Sequence, residues 1–319
     1  LDTAVKQKKI GERLSEQKNR CNSVPNFVHV VADITANTGD YILGRSTRKL
    51  VEQECNTAIN WDIKHVAKAV DEDYIVQCNQ SAGIIIGGGG LFIKDTNPNS
   101  KSGWSWPCSV QELQRIQKPI YVLGVGYNRF REQGEFDACF AENVNVLVEQ
   151  SKFFGLRNHG SIRAIQGYLR EDLREKVKFH PCPTTVLSKL CVLPKRNVQE
   201  PYIAVNCAFD RGDLRYGDRL ESIMFAVAKV LKQLSKDYKI KCYVQCNGDE
   251  QIGLFLDQMD VEYEIVTLTK ALSEEEYLRY FTEPELMLAT RGHAQMIPFG
   301  CKTPVVSMIS HDKLAWFLE

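Results

Sequence analysis

Arg291 and His293 stand two residues apart in Leu288-Ala289-Thr290-Arg291-Gly292-His293-Ala294, where an apolar run gives way to a turn and then a helix start. A guanidinium and an imidazole converging on the amino end of a helix reinforce the positive end of its dipole, so the pair makes an anion site with a titratable donor inside it. Lys313, past the last apolar run, is placed to add a second cation. The loop 209–215 carries Arg211 and Arg215, which are either further cations for the same anion or a solvated charged turn. Arg157, in Gly155-Leu156-Arg157-Asn158-His159-Gly160-Ser161, either salt-bridges within the fold or reaches an anion in a cleft. His159 on that turn is a helix cap or a proton carrier.

A different chemistry is written into the amino-terminal half. Asn37-Thr38-Gly39-Asp40 lies between a strand-like and a helix-like stretch. One reading is a capped turn; the other is that Asn37 and Asp40 hydrogen-bond a polyhydroxylated substrate, with Asp40 close enough to take a hydroxyl proton. A carboxylate there would repel phosphate, so this turn is not a phosphate site. After the buried run Ile84-Ile85-Ile86 come four glycines, Gly87 to Gly90, and Gly88, Gly89 and Gly90 would let a ligand approach the main chain closely. A dinucleotide fingerprint needs its glycines at the first strand-to-helix turn and an acidic residue after the next strand, and the chain has neither; it also lacks a G-x-x-x-x-G-K-[ST] phosphate loop. Trp104 and Trp106 share a long loop, as a sugar-stacking platform or as an apolar plug.

The elements that must hold these groups follow from hydrophobic periodicity. Short β-branched runs alternate with amphipathic stretches from Asn26 onward, the pattern of βαβ units winding a parallel sheet. It predicts strands at 27–33, 57–62, 83–87, 119–124, 152–156 and 176–180, then at 202–206, 239–245, 261–266, 286–289 and 304–308. Helices are expected between them at 40–55, 64–77, 108–117, 135–150 and 159–170, and at 219–236, 249–258, 273–281 and 292–300, with a last one opening near 311. The fold class is therefore α/β: two tandem Rossmann-like domains facing a central cleft. Proline-bearing residues 181–200 interrupt the alternation, giving a basic polar segment 1–25, an amino-terminal domain 26–187 on the acceptor side, a linker 188–200 and a carboxyl-terminal domain 201–319 on the donor side. The chain ends just after a helix opens, so an element returning to the first domain is expected to be missing.

Composition excludes several classes. The chain has 319 residues, 44% hydrophobic and 25% charged, with 40 basic against 40 acidic side chains, which argues against a broad nucleic-acid-binding face. The longest uncharged apolar-looking run, Ser81 to Ile93, is too short and too glycine-rich to span a bilayer. The 11 cysteines are odd in number and scattered without a C-x-x-C, the mark of free core thiols rather than of disulfides or zinc ligands.

Taken together, Asn37-Thr38-Gly39-Asp40, Ile85 to Leu91, Gly124-Val125-Gly126, Gly155-Leu156-Arg157 with Ser161, and above all Arg291-Gly292-His293-Ala294 followed by Gly300, Pro304 and Lys313 resemble the polysaccharide pyruvyl transferase family. The resemblance runs from about Phe27 to the end. It implies a GT-B-like fold and transfer of pyruvate from phosphoenolpyruvate to two hydroxyls of a sugar in a glycan or glycolipid, giving a cyclic ketal and phosphate. Arg291 and His293 would then hold the donor, with Lys313, Arg157 and Arg211 beside them. Asn37, Asp40 and the main chain of Gly88, Gly89 and Gly90 would take the acceptor, a glycan or lipid-linked saccharide. His293, charged in an anionic site, would be the acid and Asp40 the base. No cofactor other than the co-substrate phosphoenolpyruvate is called for, and no metal. One departure is that His180-Pro181 stands where relatives tend to carry Asp-Pro.

Two other functions fit the residues: a GT-B glycosyltransferase whose Arg291 and His293 bind the diphosphate of a nucleotide sugar, and a non-catalytic carbohydrate-binding protein of this fold. For the former, the acidic run Glu274 to Glu276 is the nearest candidate for a ribose contact. The expected location is the cytoplasm, at the inner membrane face if the basic first 20 residues dock on it, or the Golgi lumen for a eukaryotic chain with a removed anchor. Oligomeric state is left open.

Overall fold

The computed structural model describes residues 24–33, 37–130, 133–268 and 272–319. The basic segment, Cys21 and any membrane-docking role of the first 20 residues fall outside the described residues. Two parallel sheets organise the chain. The first contains β1 Asn26–Val31, β2 Asn60–His65, β3 Gly83–Phe92, β4 Ile120–Tyr127, β5 Ser151–Leu156 and β6 Val177–Phe179, in the order β2-β1-β3-β4-β5-β6. The second contains β7 Tyr202–Asn206, β8 Lys239–Val244, β9 Glu264–Thr267, β10 Leu286–Ala289 and β11 Val305–Ser307, in the order β11-β10-β7-β8-β9. The helices are α1 Thr38–Cys55, α2 Glu72–Gln80, α3 Val110–Arg115, α4 Ala138–Gln150, α5 His159–Gln166, α6 Glu171–Arg174, α7 Leu187–Leu190, α8 Gly212–Tyr216, α9 Leu220–Leu234, α10 Ile252–Asp257, α11 Glu274–Thr282, α12 His293–Gly300 and α13 Asp312–Leu318.

In a doubly wound sheet, ligands bind beyond the carboxyl ends of the strands where the winding direction reverses. That point lies between β1 and β3 in the first sheet and between β7 and β10 in the second. Helix α1 starts after β1, and α12 starts after β10, so each reversal presents a helix amino end to the cleft. Asn37 caps α1, its side-chain oxygen accepting from the N–H of Gly39 at 3.1 Å and of Asp40 at 3.4 Å.

The halves are joined by packing as well as by chain. Ile42 of α1 sits in one apolar cluster with Tyr277, Phe281, Ala294 and Ile297 from the second half. The Tyr277 hydroxyl donates to Thr38 Oγ1 at 3.2 Å. Within the chain, α13 crosses back to the first half: Trp316 lies so close over Gly160 that a Cβ there would come within 2.0 Å of the indole, and Arg163 pairs with Glu319 at 2.9 Å.

Two expected elements move. The strand expected at 57–62 runs over Asn60–His65, and the helix expected at 64–77 begins only at Glu72, because Asp71 caps it by accepting from the Tyr74 N–H at 2.8 Å. The polar Asp62 and Lys64 had blurred this edge strand. The glycine run after Ile86 is also strand rather than loop, since β3 continues to Phe92 along β4. Trp104 and Trp106 are core plugs, buried to 1% and 0% exposure. All ten described cysteines are free, and no described helix is long and apolar enough to cross a membrane.

Candidate active site

Between the reversal points lies a cavity of about 610 Å³, walled by Asn37, Asp40, Gly90, Asn128 and Phe130 from the first half and by Asp210, Arg211, Arg215, Arg291, His293, His311 and Lys313 from the second. The two groups of side chains identified in the sequence therefore meet in one space. Gly88 and Gly89 do not line it. A Cβ on Gly88 would press on Leu43 at 2.9 Å, so this residue faces α1, and Gly89 lies against Leu43 and behind Asp40; of the three expected acceptor glycines only Gly90 reaches the cavity. His159 is exposed and stacks on Phe179 outside it.

Asp40 accepts from Asn37 Nδ2 at 2.6 Å, and its Oδ1 lies 3.5 Å from His293 Nδ1 across the cleft. Burial pushes the Asp40 carboxyl up to about 6, against the opposing pull of Lys313 and Arg157. His293 is held tightly: a Cβ on Gly39 would come within 2.6 Å of its ring. Burial first, and then Lys313 and Arg157, drive its pKa well below the ordinary range, and its Nε2 is buried without a partner. These surroundings disfavour the charged His293 expected from the sequence.

Arg291 also differs from expectation. In place of an open fork, its Nε donates to both Asp249 oxygens at 3.0 and 2.9 Å, and its Nη2 donates to Asp249 Oδ1 and Asp210 Oδ1 at 2.5 Å each. Asp210 is shared with Arg215 at 3.2 Å. Arg211 is engaged across the cleft, donating to Asp95 at 3.0 Å and Thr96 at 3.3 Å.

Arg157 makes no such ion pair among the described residues, although the Asp40 carboxylate attracts it through space. The arginine is 5% exposed, and its Nε and Nη2 are buried with no hydrogen-bond partner. The guanidinium lies behind the cavity wall, over Gly126 and beside Gly90 and Asn128: a Cβ on Gly126 would fall 2.2 Å from Nε, and one on Gly90 3.3 Å from Nη2. Lys313 is brought down to about 7 by burial, then by Arg157 and Arg215. His311 completes this side, stacked on Phe130 with ring centroids 4.7 Å apart, its Nε2 also unpartnered.

Sequence reasoning missed Asp210, Asp249 and His311 as site residues. Asp249 follows Asn247-Gly248, a turn signal that pointed only to a helix start. No group of three or more His, Cys, Asp and Glu side chains among the described residues is arranged to hold a metal ion.

Comparison with known proteins agrees with this architecture. The solved structures similar to this chain include the S. aureus MnaA-UDP co-structure (TM-score 0.55, 12% identity, covering 90% of this chain and 80% of that one). A putative UDP-N-acetylglucosamine 2-epimerase from Listeria monocytogenes aligns with TM-score 0.53 at 8% identity, over 90% of this chain and 79% of its own. The Methanocaldococcus jannaschii UDP-GlcNAc 2-epimerase in complex with UDP-GlcNAc and UDP aligns with TM-score 0.52 at 13% identity, over 90% and 84%. At such identities the likeness is one of fold, two domains of GT-B type. No curated protein matches the sequence. The profile of the family described as Polysaccharide pyruvyl transferase matches residues 37–313, which takes in every cavity residue named above, and the chain belongs to that family.

Proposed function

We propose that the cleft transfers a pyruvyl group from phosphoenolpyruvate to two hydroxyls of one sugar residue in a glycan, closing a cyclic ketal and releasing phosphate. The observation that carries this reading is Arg157. Two of its guanidinium nitrogens are buried with no hydrogen-bond partner among the described residues, which is costly, and buried unpaired polar atoms call for a partner. Lys313, Arg215, His311 and the unpartnered Nε2 of His293 line the cavity in front of the wall that holds Arg157, so positive charge converges on that space and a small, strongly anionic molecule would complement it. Phosphoenolpyruvate, with a phosphate and a carboxylate, has that character.

The donor's charge also gives His293 its proton. Burial first, and then Lys313 and Arg157, oppose a charged imidazole; a bound polyanion offsets the two cations and so favours proton uptake by the ring. His293 delivers that proton to the methylene carbon, which becomes the methyl group. A sugar hydroxyl adds to the adjacent carbon as its proton passes to Asp40, whose carboxyl near 6 is suited to receive and return it. The second hydroxyl of the same sugar displaces phosphate from that carbon, and its proton leaves with the phosphate. The Asn37–Asp40 turn faces this reaction from the acceptor side.

The test is phosphate release from phosphoenolpyruvate in the presence of a panel of glycans, with mass spectrometry of the glycan product. Release that requires both substrates, with an acid-labile pyruvate on the sugar, is the expected outcome. Consumption of a nucleotide sugar in place of phosphoenolpyruvate would contradict it.

A further inference from the structure

Asp249 is 1% exposed and lies in the single turn that follows β8. Its Oδ2 accepts from the backbone N–H of Gln245 at 3.1 Å and of Cys246 at 3.2 Å, and from Asn206 Nδ2 at 2.9 Å. Both of its oxygens accept from Arg291 Nε, and Oδ1 also from Nη2. Asn206 ends β7, Gln245 and Cys246 follow β8, and Arg291 follows β10. One carboxylate thus ties together the carboxyl ends of three neighbouring strands at the reversal point of the second sheet. It is the group that decides which edge of Arg291 faces the cavity. The Nε–Nη2 edge, the side suited to a bidentate grip on an anion, is occupied; Nη1 has no hydrogen-bond partner among the described residues, and Arg291 lines the cavity.

We propose that Asp249 is a positioning residue that turns the bidentate edge of Arg291 away from the cavity and fixes the guanidinium so that it reaches the donor through Nη1 alone. Arg291 then acts as a directed hydrogen-bond donor whose charge is already balanced by Asp249 and Asp210. Neutralisation of the donor falls to Arg157 and Lys313. The identity of the donor rests on the function proposed above; the placement of Arg291 does not.

Two measurements separate these claims. The first is the solvent exchange of the Arg291 Nε–H in ¹H–¹⁵N spectra of the whole protein without ligand, assigned by its loss in Arg291→Lys. Slow exchange in the native chain and rapid exchange in a folded Asp249→Asn variant are expected; equal exchange in the two would overturn the positioning role whatever the donor is. The second is steady-state kinetics with phosphoenolpyruvate. Asp249→Asn is expected to raise the donor KM about tenfold while kcat falls less, and Asp249→Glu to restore part of the KM, a split that simple loss of folded protein does not give. Native donor constants in Asp249→Asn would overturn the proposal. If the Asn variant does not fold, Arg291→Ala with millimolar guanidinium takes its place: turnover regained with added guanidinium supports the Asp249 cradle, and none regained counts against it. Absence of phosphoenolpyruvate turnover in the native enzyme, with slow Nε–H exchange intact, would remove the donor assignment and leave the positioning role standing.

Discussion

The buried Arg157 guanidinium, with two nitrogens unpaired among the described residues, is a stability cost. Replacing Arg157 with Met removes the charge and keeps the stem, so the protein measured without donor should become more stable by on the order of 1–4 kcal/mol. Stabilisation by phosphoenolpyruvate should vanish in the same variant. Chemical denaturation with and without the donor checks both halves; a less stable Arg157→Met would mean that the guanidinium is a structural ion-pair member. His293→Ala should lower turnover by about 10²-fold or more with the fold intact, the usual consequence of losing a general acid. The pH dependence of donor affinity follows from Lys313, whose pKa falls to about 7 through burial and then through Arg157 and Arg215. The unfolded chain binds this proton more tightly than the folded one, so the lysine makes stability rise with pH from about 7 toward the ordinary lysine range. An anionic donor needs the ammonium. Its affinity should therefore be nearly flat below about pH 7, as far as Lys313 governs it, and should fall by up to about tenfold per pH unit above. Calorimetric titration across pH is the measurement, and Lys313→Met should flatten the profile.

At the scale of elements, the glycines place the charged groups. Ala in place of Gly39 would raise helix propensity by up to about 1 kcal/mol, but its Cβ would meet the His293 ring at 2.6 Å, and overpacking of this kind costs about 1–3 kcal/mol. The clash wins, so Gly39→Ala should destabilise the protein and lower turnover together, read from thermal unfolding beside steady-state rates. The sequence made much of this frame legible: two apolar alternations with a proline-bearing break give two sheets, and Arg291 and His293 do meet Asp40. The missed parts have specific causes. The glycine run looked like a loop because glycine is poor in strands, whereas pairing with β4 carries β3 through it to Phe92. Asp249 was invisible because a carboxylate at a turn says nothing of its partner, and Arg291 lies 42 positions away. The lowered pKa of His293 depends on burial between Gly39, Lys313 and Arg157, three distant segments whose convergence no local pattern records.

For the molecule as a whole, the last helix couples site and architecture. Helix α13 carries Lys313 into the cavity at one end and Trp316 onto Gly160 of the first half at the other. Trp316→Ala removes that anchor, and truncation of a packed tryptophan costs about 3–5 kcal/mol when fully buried, so less here where it is partly so. Donor KM should rise with it because Lys313 loses its placement. The Arg211–Asp95 pair and the Phe130–His311 stack also bridge the halves at the cavity wall, so the two sheets meet around one ligand space. The central claim is that this space is built for a small polyanion and not for a nucleotide sugar. The thermal midpoint of the native chain with millimolar phosphoenolpyruvate, beside UDP-, GDP- and CMP-sugars at equal concentration, tests it directly, since a ligand that binds only the folded state raises the midpoint. A rise with phosphoenolpyruvate alone, absent in Arg157→Met, is the expected result; a rise with a nucleotide sugar and none with phosphoenolpyruvate would contradict the claim.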